Sequence, residues 1–105
     1  MKNVIENILA DLGVDRNTMV MSPERIENLH YIKFTLDGCG YTAYFTNFAN
    51  RIDIKCNDLE FKDGEIADQR LYDLSKKINN PDGNIVMKIV VWPEGDMPEL
   101  MILYE

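Results

Sequence analysis

Apolar residues at Val4, Ile5, Ile8, Leu9 and Leu12 recur at the spacing of one helix face, and Gly13 follows where a C-terminal cap belongs. This predicts a first helix over residues 4–12. Residues 15–27 show no clear period; Met19 and Met21 alternate, and Ser22-Pro23 interrupts, so the segment reads as a loop with a short strand. Strict alternation then begins. Ile32, Phe34 and Leu36 stand against Tyr31, Lys33 and Thr35, and Ile52, Ile54 and Cys56 stand against Arg51, Asp53 and Lys55. Between them, residues 41–46 are rich in aromatic and β-branched types. Asp37-Gly38-Cys39-Gly40 supplies one turn and residues 47–50 the next, which predicts a three-stranded antiparallel meander.

The period changes again after an acidic loop at 57–65. Ala67, Leu71, Leu74 and Ile78 form a helical stripe, Lys76 and Lys77 complement the negative end of its dipole, and Asn79-Asn80-Pro81-Asp82-Gly83 stops it. Residues 85–92 are apolar apart from Lys88 and predict a central strand covered on at least one face. Residues 100–104 close a last hairpin. The order α-β-β-β-α-β-β predicts an α+β fold in which two helices cover one face of an antiparallel sheet of about five strands. No internal repeat or linker interrupts residues 1–105, so one domain is expected.

Size and charge narrow the function. A chain of 105 residues with 46% hydrophobic content builds a core without staples. Acidic residues outnumber basic ones 18 to 11, for a net charge of −7, so the mean field repels phosphate backbones and anionic lipid. Direct nucleic-acid binding and membrane association are not expected, whereas a basic protein surface is attracted. The start Met1-Lys2-Asn3 leads into no signal-type apolar run, and no stretch approaches the roughly 20 apolar residues of a membrane span, so the cytoplasm is the expected location. Cys39 and Cys56 are too few for a disulfide framework or a zinc knuckle and are expected to be free thiols.

The residues that could carry nucleophilic chemistry are few and far apart. With Leu36 and Tyr41 flanking the first turn, His30 lies opposite about Asn47 and roughly 26 Å from Cys39, too far for a nucleophile and its base. Cys56 falls near the level of Tyr41. Asp53, Asp58, Glu60, Asp63, Glu65, Asp68 and Asp73 crowd one segment, but a calcium loop counted from Asp58 puts Lys62 at its fifth position and brings glycine one residue late, at Gly64. A solvated loop turning at Asp63-Gly64 is expected in its place. Ser22 and Ser75 lie in no nucleophile elbow, and no glycine-rich phosphate cradle follows a strand. Tyr31, Tyr41, Tyr44, Phe45, Phe48 and Trp92 lack the basic groove of a nucleic-acid stacking platform and suit a core or a protein interface.

The element order, together with Leu71-Tyr72-Asp73-Leu74-Ser75-Lys76-Lys77-Ile78-Asn79 followed by Ile85-Val86-Met87-Lys88-Ile89, resembles the YbjN-like and type III secretion chaperone-like group of small acidic α+β domains. That resemblance implies dimerisation and protein binding without catalysis. The expected function is therefore a non-enzymatic, cofactor-free and metal-free domain that associates stoichiometrically with a basic partner protein. The leading form is an inhibitor of the immunity or phage anti-defence type that blocks a nucleic-acid-handling site. The alternative is a homodimeric adaptor or secretion chaperone. The seven carboxylates from Asp53 to Asp73 are the expected partner-binding residues, and both monomer and homodimer remain open.

Overall fold

Helix α1 spans Lys2–Asp11 in the computed structural model, which describes residues 2–23, 29–46, 48–79 and 83–105. The helix exists because Ile5, Ile8 and Leu9 are buried together. It ends as the sequence indicates. Gly13 adopts φ 80°, its N–H donates to the Ala10 carbonyl, and the Val14 N–H donates to that of Leu9, a Schellman closure that also buries Val14 against the helix. The segment 15–27 contains a 3₁₀ turn at Arg16–Thr18 and strand β1 at Val20–Met21; its residues 24–27, together with Asn28, Asn47 and Asn80-Pro81-Asp82, lie outside the described residues.

Strands β2 (Leu29–Leu36), β3 (Cys39–Thr46) and β4 (Arg51–Cys56) form the meander. Helix α2 spans Gly64–Lys77, and strands β5 (Ile85–Val91) and β6 (Glu99–Tyr104) complete one antiparallel sheet in the order β1-β2-β3-β4-β6-β5. The fold is α+β, with six strands against the expected five or so because the two-residue β1 adds itself outside β2. Ile32, Phe34, Ala43, Phe45, Ile52, Ile54, Leu100 and Ile102 alternate onto one sheet face and pack into a single core with Ile5, Leu9, Leu71 and Leu74 of the helices. The opposite face carries Tyr31, Lys33, Tyr44, Asp53, Lys55 and Met101, none of them buried.

Three expectations change. The first hairpin is tighter, because Asp37 at φ 51° and Gly38 at φ 77° make a two-residue type I′ turn that returns Cys39 and Gly40 to the strand. Leu36 therefore pairs with Cys39, and His30 pairs with Phe45, not with Asn47. Gly64 does not turn a loop. Its φ of −55° makes it the first residue of α2, and a 3₁₀ turn at Phe61–Asp63 precedes it. Finally, β5 is an edge strand and not a central one, since β6 inserts between it and β4. An apolar run marks either a strand covered on both faces or an edge whose outer side chains are apolar, and periodicity does not separate the two.

Candidate functional site

Glu60 and Asp63 form a capping box around the 3₁₀ turn, with the Glu60 N–H donating to Asp63 Oδ2 at 3.1 Å. This short turn sets the direction in which Phe61 projects, and Phe61 remains 69% exposed. Immediately after it, α2 starts on a glycine for a steric reason. A Cβ at position 64 would lie 2.9 Å from Trp92 Cη2, so only glycine lets the indole, arriving from the end of β5, rest on the first helical turn. Trp92 Nε1 donates to Asp68 Oδ1 at 2.8 Å, one turn further along α2, which fixes the ring while leaving it 55% exposed. Ile66, 51% exposed, completes the apolar floor.

Phe61, Ile66 and Trp92, with Lys62, Asp63, Gly64 and Glu65, line an open groove of about 440 Å³. Its rim is acidic. Glu65 occupies the first turn of α2, Asp63 stands just before the helix with its carboxylate turned back to the Glu60 N–H, and Glu60 is largely exposed with Lys62 at 3.5 Å. Two aromatic faces beside carboxylates suit a cationic side chain: the ring quadrupoles and the acids attract the same charge, and a guanidinium also stacks flat.

The acidic segment is thereby divided. Asp63 and Glu65 line the groove, Asp68 holds its indole, and Glu60 precedes the 3₁₀ turn that carries Phe61. Asp58 is turned to Arg70, whose Nη1 donates to both of its oxygens at 2.9 Å. Asp73 accepts from Gln69 at 3.0 Å and lines a smaller cavity of about 140 Å³ beside Arg70, Lys77 and Cys39. Asp53 points to the open sheet face, where Arg51 Nε holds both its oxygens at 3.0 Å. That face has its own charge network: Lys55 bonds Asp96 at 2.8 Å, and Glu99 lies 3.6 Å from both Lys55 and Arg51. The Lys55 hydrogen bond holds Asp96 below its ordinary pKa, whereas burial and the neighbouring Asp53 push Glu99 up.

The aromatic residues do not make one platform. Tyr41 and Phe45 are buried in the core, Tyr31 and Tyr44 sit 6.5 Å apart on the open face, and Phe48 is exposed in the turn after β3. Trp92 alone of the set reaches the groove. Phe61, Ile66 and Gly64 escape a reading based on the helical stripe, because they lie off it. An apolar Ile66 outside the Ala67, Leu71, Leu74 and Ile78 face is the signal that marks them, since a solvent-facing position otherwise favours a polar residue.

The thiols sit apart from His30. Cys39 pairs with Leu36 six residues from His30 along β2, about 20 Å away, and Cys56 pairs with Tyr41. Burial pushes Cys56 from its ordinary 9.0 to about 11, which keeps it protonated at neutral pH. No protein-family model matches the chain, and neither a curated protein nor a solved structure shows similarity to it.

Proposed function

We propose that this chain is a non-catalytic protein-binding domain that captures a basic partner stoichiometrically through the groove of Phe61, Ile66 and Trp92. The observation that supports this reading is the conjunction of an exposed apolar floor with an acidic rim on a chain of net charge −7. Exposed aromatics surrounded by charges that select the partner are the usual composition of a binding hot spot. An arginine or lysine of the partner enters the groove, the indole and phenyl faces take its aliphatic stem and charge, and Glu60 and Glu65 orient it. A basic site that handles nucleic acid is the surface such a field steers toward, so the inhibitor form of the function is the leading one. The homodimeric adaptor form is favoured by a different observation, the exposed apolar edge at β5.

Capture from a lysate of the native host tests the groove when three baits run in parallel: wild type, Phe61→Ala, and a charge control neutralising Asp11, Asp15 and Glu105. A basic protein held by wild type and control but released by Phe61→Ala is the expected result. Equal retention by all three removes the groove from the account.

A further inference from the structure

The two edges of the sheet are treated differently. At one, β1 is two residues long and is followed by Ser22-Pro23, a short and proline-terminated edge that offers little to pair with. At the other, β5 runs seven residues, and no strand lies beyond Met87–Val91 among the described residues. The charge that should guard such an edge is turned away from it. Lys88 Nζ donates to the Ser75 and Ile78 carbonyls at 2.8 and 2.7 Å, capping α2, and no other charged residue lies between Ile85 and Trp92. The edge is apolar on both sides instead: Met87 and Ile89, 44% and 46% exposed, pair with Leu103 and Met101 and lie on the open face, Trp92 and Tyr72, 55% and 49% exposed, lie on the α2 side, and Val86 is 61% exposed.

We infer that a second copy of this chain pairs along β5, antiparallel to the first, about a two-fold axis at Ile89. A register irregularity between Ile85 and Met87 limits the regular ladder to Met87–Val91, whose midpoint is Ile89. Pairing about that point sets Ile89 against its own copy, Met87 against Val91, and Lys88 against Val90, so no like charges face each other. The helices agree with this choice. Contacts of Asp68 with Trp92, and of the Ser75 carbonyl with Lys88, show that α2 runs antiparallel to β5 along the same edge. Asp68, Tyr72 and Lys76 form the α2 row nearest β5, with Lys76 4.3 Å over the Tyr72 ring, whereas Lys77 is turned away to Asp37. A two-fold axis therefore sets the acidic start of one row, with Glu65 and Asp68, toward Lys76 of the other, with the Tyr72 rings between them. The stripe is complementary to itself when reversed, which is what an isologous contact requires.

The area sets the strength. The five exposed side chains offer roughly 500 Å² per copy, against about 800 Å² per partner in a standard interface. The dimer is accordingly weak, with a dissociation constant on the order of tens of micromolar. It shares Trp92 and Glu65 with the groove but uses neither Phe61 nor Ile66, so Phe61→Ala, which removes the groove's floor, is expected to leave the dimer intact and keeps the two readings distinguishable.

Sedimentation equilibrium of the full chain from about 5 to 500 µM, at low salt and at about 0.5 M NaCl, reads the association. A reversible dimer that persists at the higher salt is expected, whereas a contact made by the acidic groove weakens there. Ile89→Lys is expected to sediment as a monomer throughout while keeping its melting transition. Ile89→Cys is expected to form a reducible dimer on mild oxidation, because facing residues about 5 Å apart meet disulfide geometry; wild type, carrying Cys39 and Cys56, serves as control. A monomer at every concentration overturns the inference. So does a dimer that Ile89→Lys leaves intact, or one that cross-links through Tyr44→Cys, on the open face three strands from the edge, and not through Ile89→Cys.

Discussion

Gly64 and Trp92 are one feature written at two distant points of the sequence. The glycine leaves room for the ring, and the ring covers the start of α2. Gly64→Ala gains helix propensity but displaces the indole, so its stability is expected within about 1 kcal/mol of wild type. Trp92 is the single tryptophan of the chain, and its emission is therefore a direct readout. A red shift in Gly64→Ala is expected; unchanged emission contradicts the packing. Sequence spacing does not reveal this pair, because a glycine ahead of a helical stripe resembles an ordinary turn residue until the partner that excludes its Cβ is known. The Asp37-Gly38 turn was legible to within two residues for a related reason. The turn residues are present in either register, and the choice between them depends on which residues take positive φ.

Among the elements, α2 shows how strand and helix hold each other. Its stripe of Ala67, Leu71, Leu74 and Ile78 is buried as the period predicts, and that burial fixes which face meets the sheet. The last turn depends on Lys88, a residue of the neighbouring strand, whose ammonium satisfies two terminal carbonyls. Lys88→Met is expected to destabilise by about 1 to 2 kcal/mol, seen as a lower urea midpoint with an unchanged slope. A midpoint equal to wild type contradicts the capping role. The elements themselves were readable, since periods of 3.6 and 2 survive without tertiary context. The place of β5 was not. An apolar strand carries the same pattern at the centre of a sheet and at an apolar edge, and the position is decided by where β6 inserts. Likewise the carboxylates from Asp53 to Asp73 are adjacent in sequence yet parted by the sheet, because Asp53 alternates onto the face opposite α2.

At the scale of the whole molecule, the core beneath α2 makes stability depend on pH in the alkaline range. Burial raises Cys56 from 9.0 to about 11, and it raises Tyr41 and Tyr104 as well. A group whose folded pKa is raised holds its proton more tightly in the native state. For Cys56 that stabilisation is fully present below about pH 9 and is lost as pH rises through about 11. Urea midpoints are expected to be level from pH 7 to about 9 and to fall above it, less so in Cys56→Ala at equal reference stability; a midpoint that rises with alkali contradicts the burial of these groups.

The net charge of −7 belongs to the same scale, and under the function we propose it gives the groove a long reach for a basic partner. The most direct test of that claim is a titration of the captured partner followed by Trp92 emission at roughly 0.05 and 0.3 M salt. It compares wild type with the Glu60→Gln, Phe61→Ala, Glu65→Gln triple variant. Wild type is expected to saturate at one partner per chain and to weaken with salt. The variant is expected to bind at least about tenfold more weakly with a flatter salt dependence. A variant that binds as wild type does, with the same response to salt, contradicts the account.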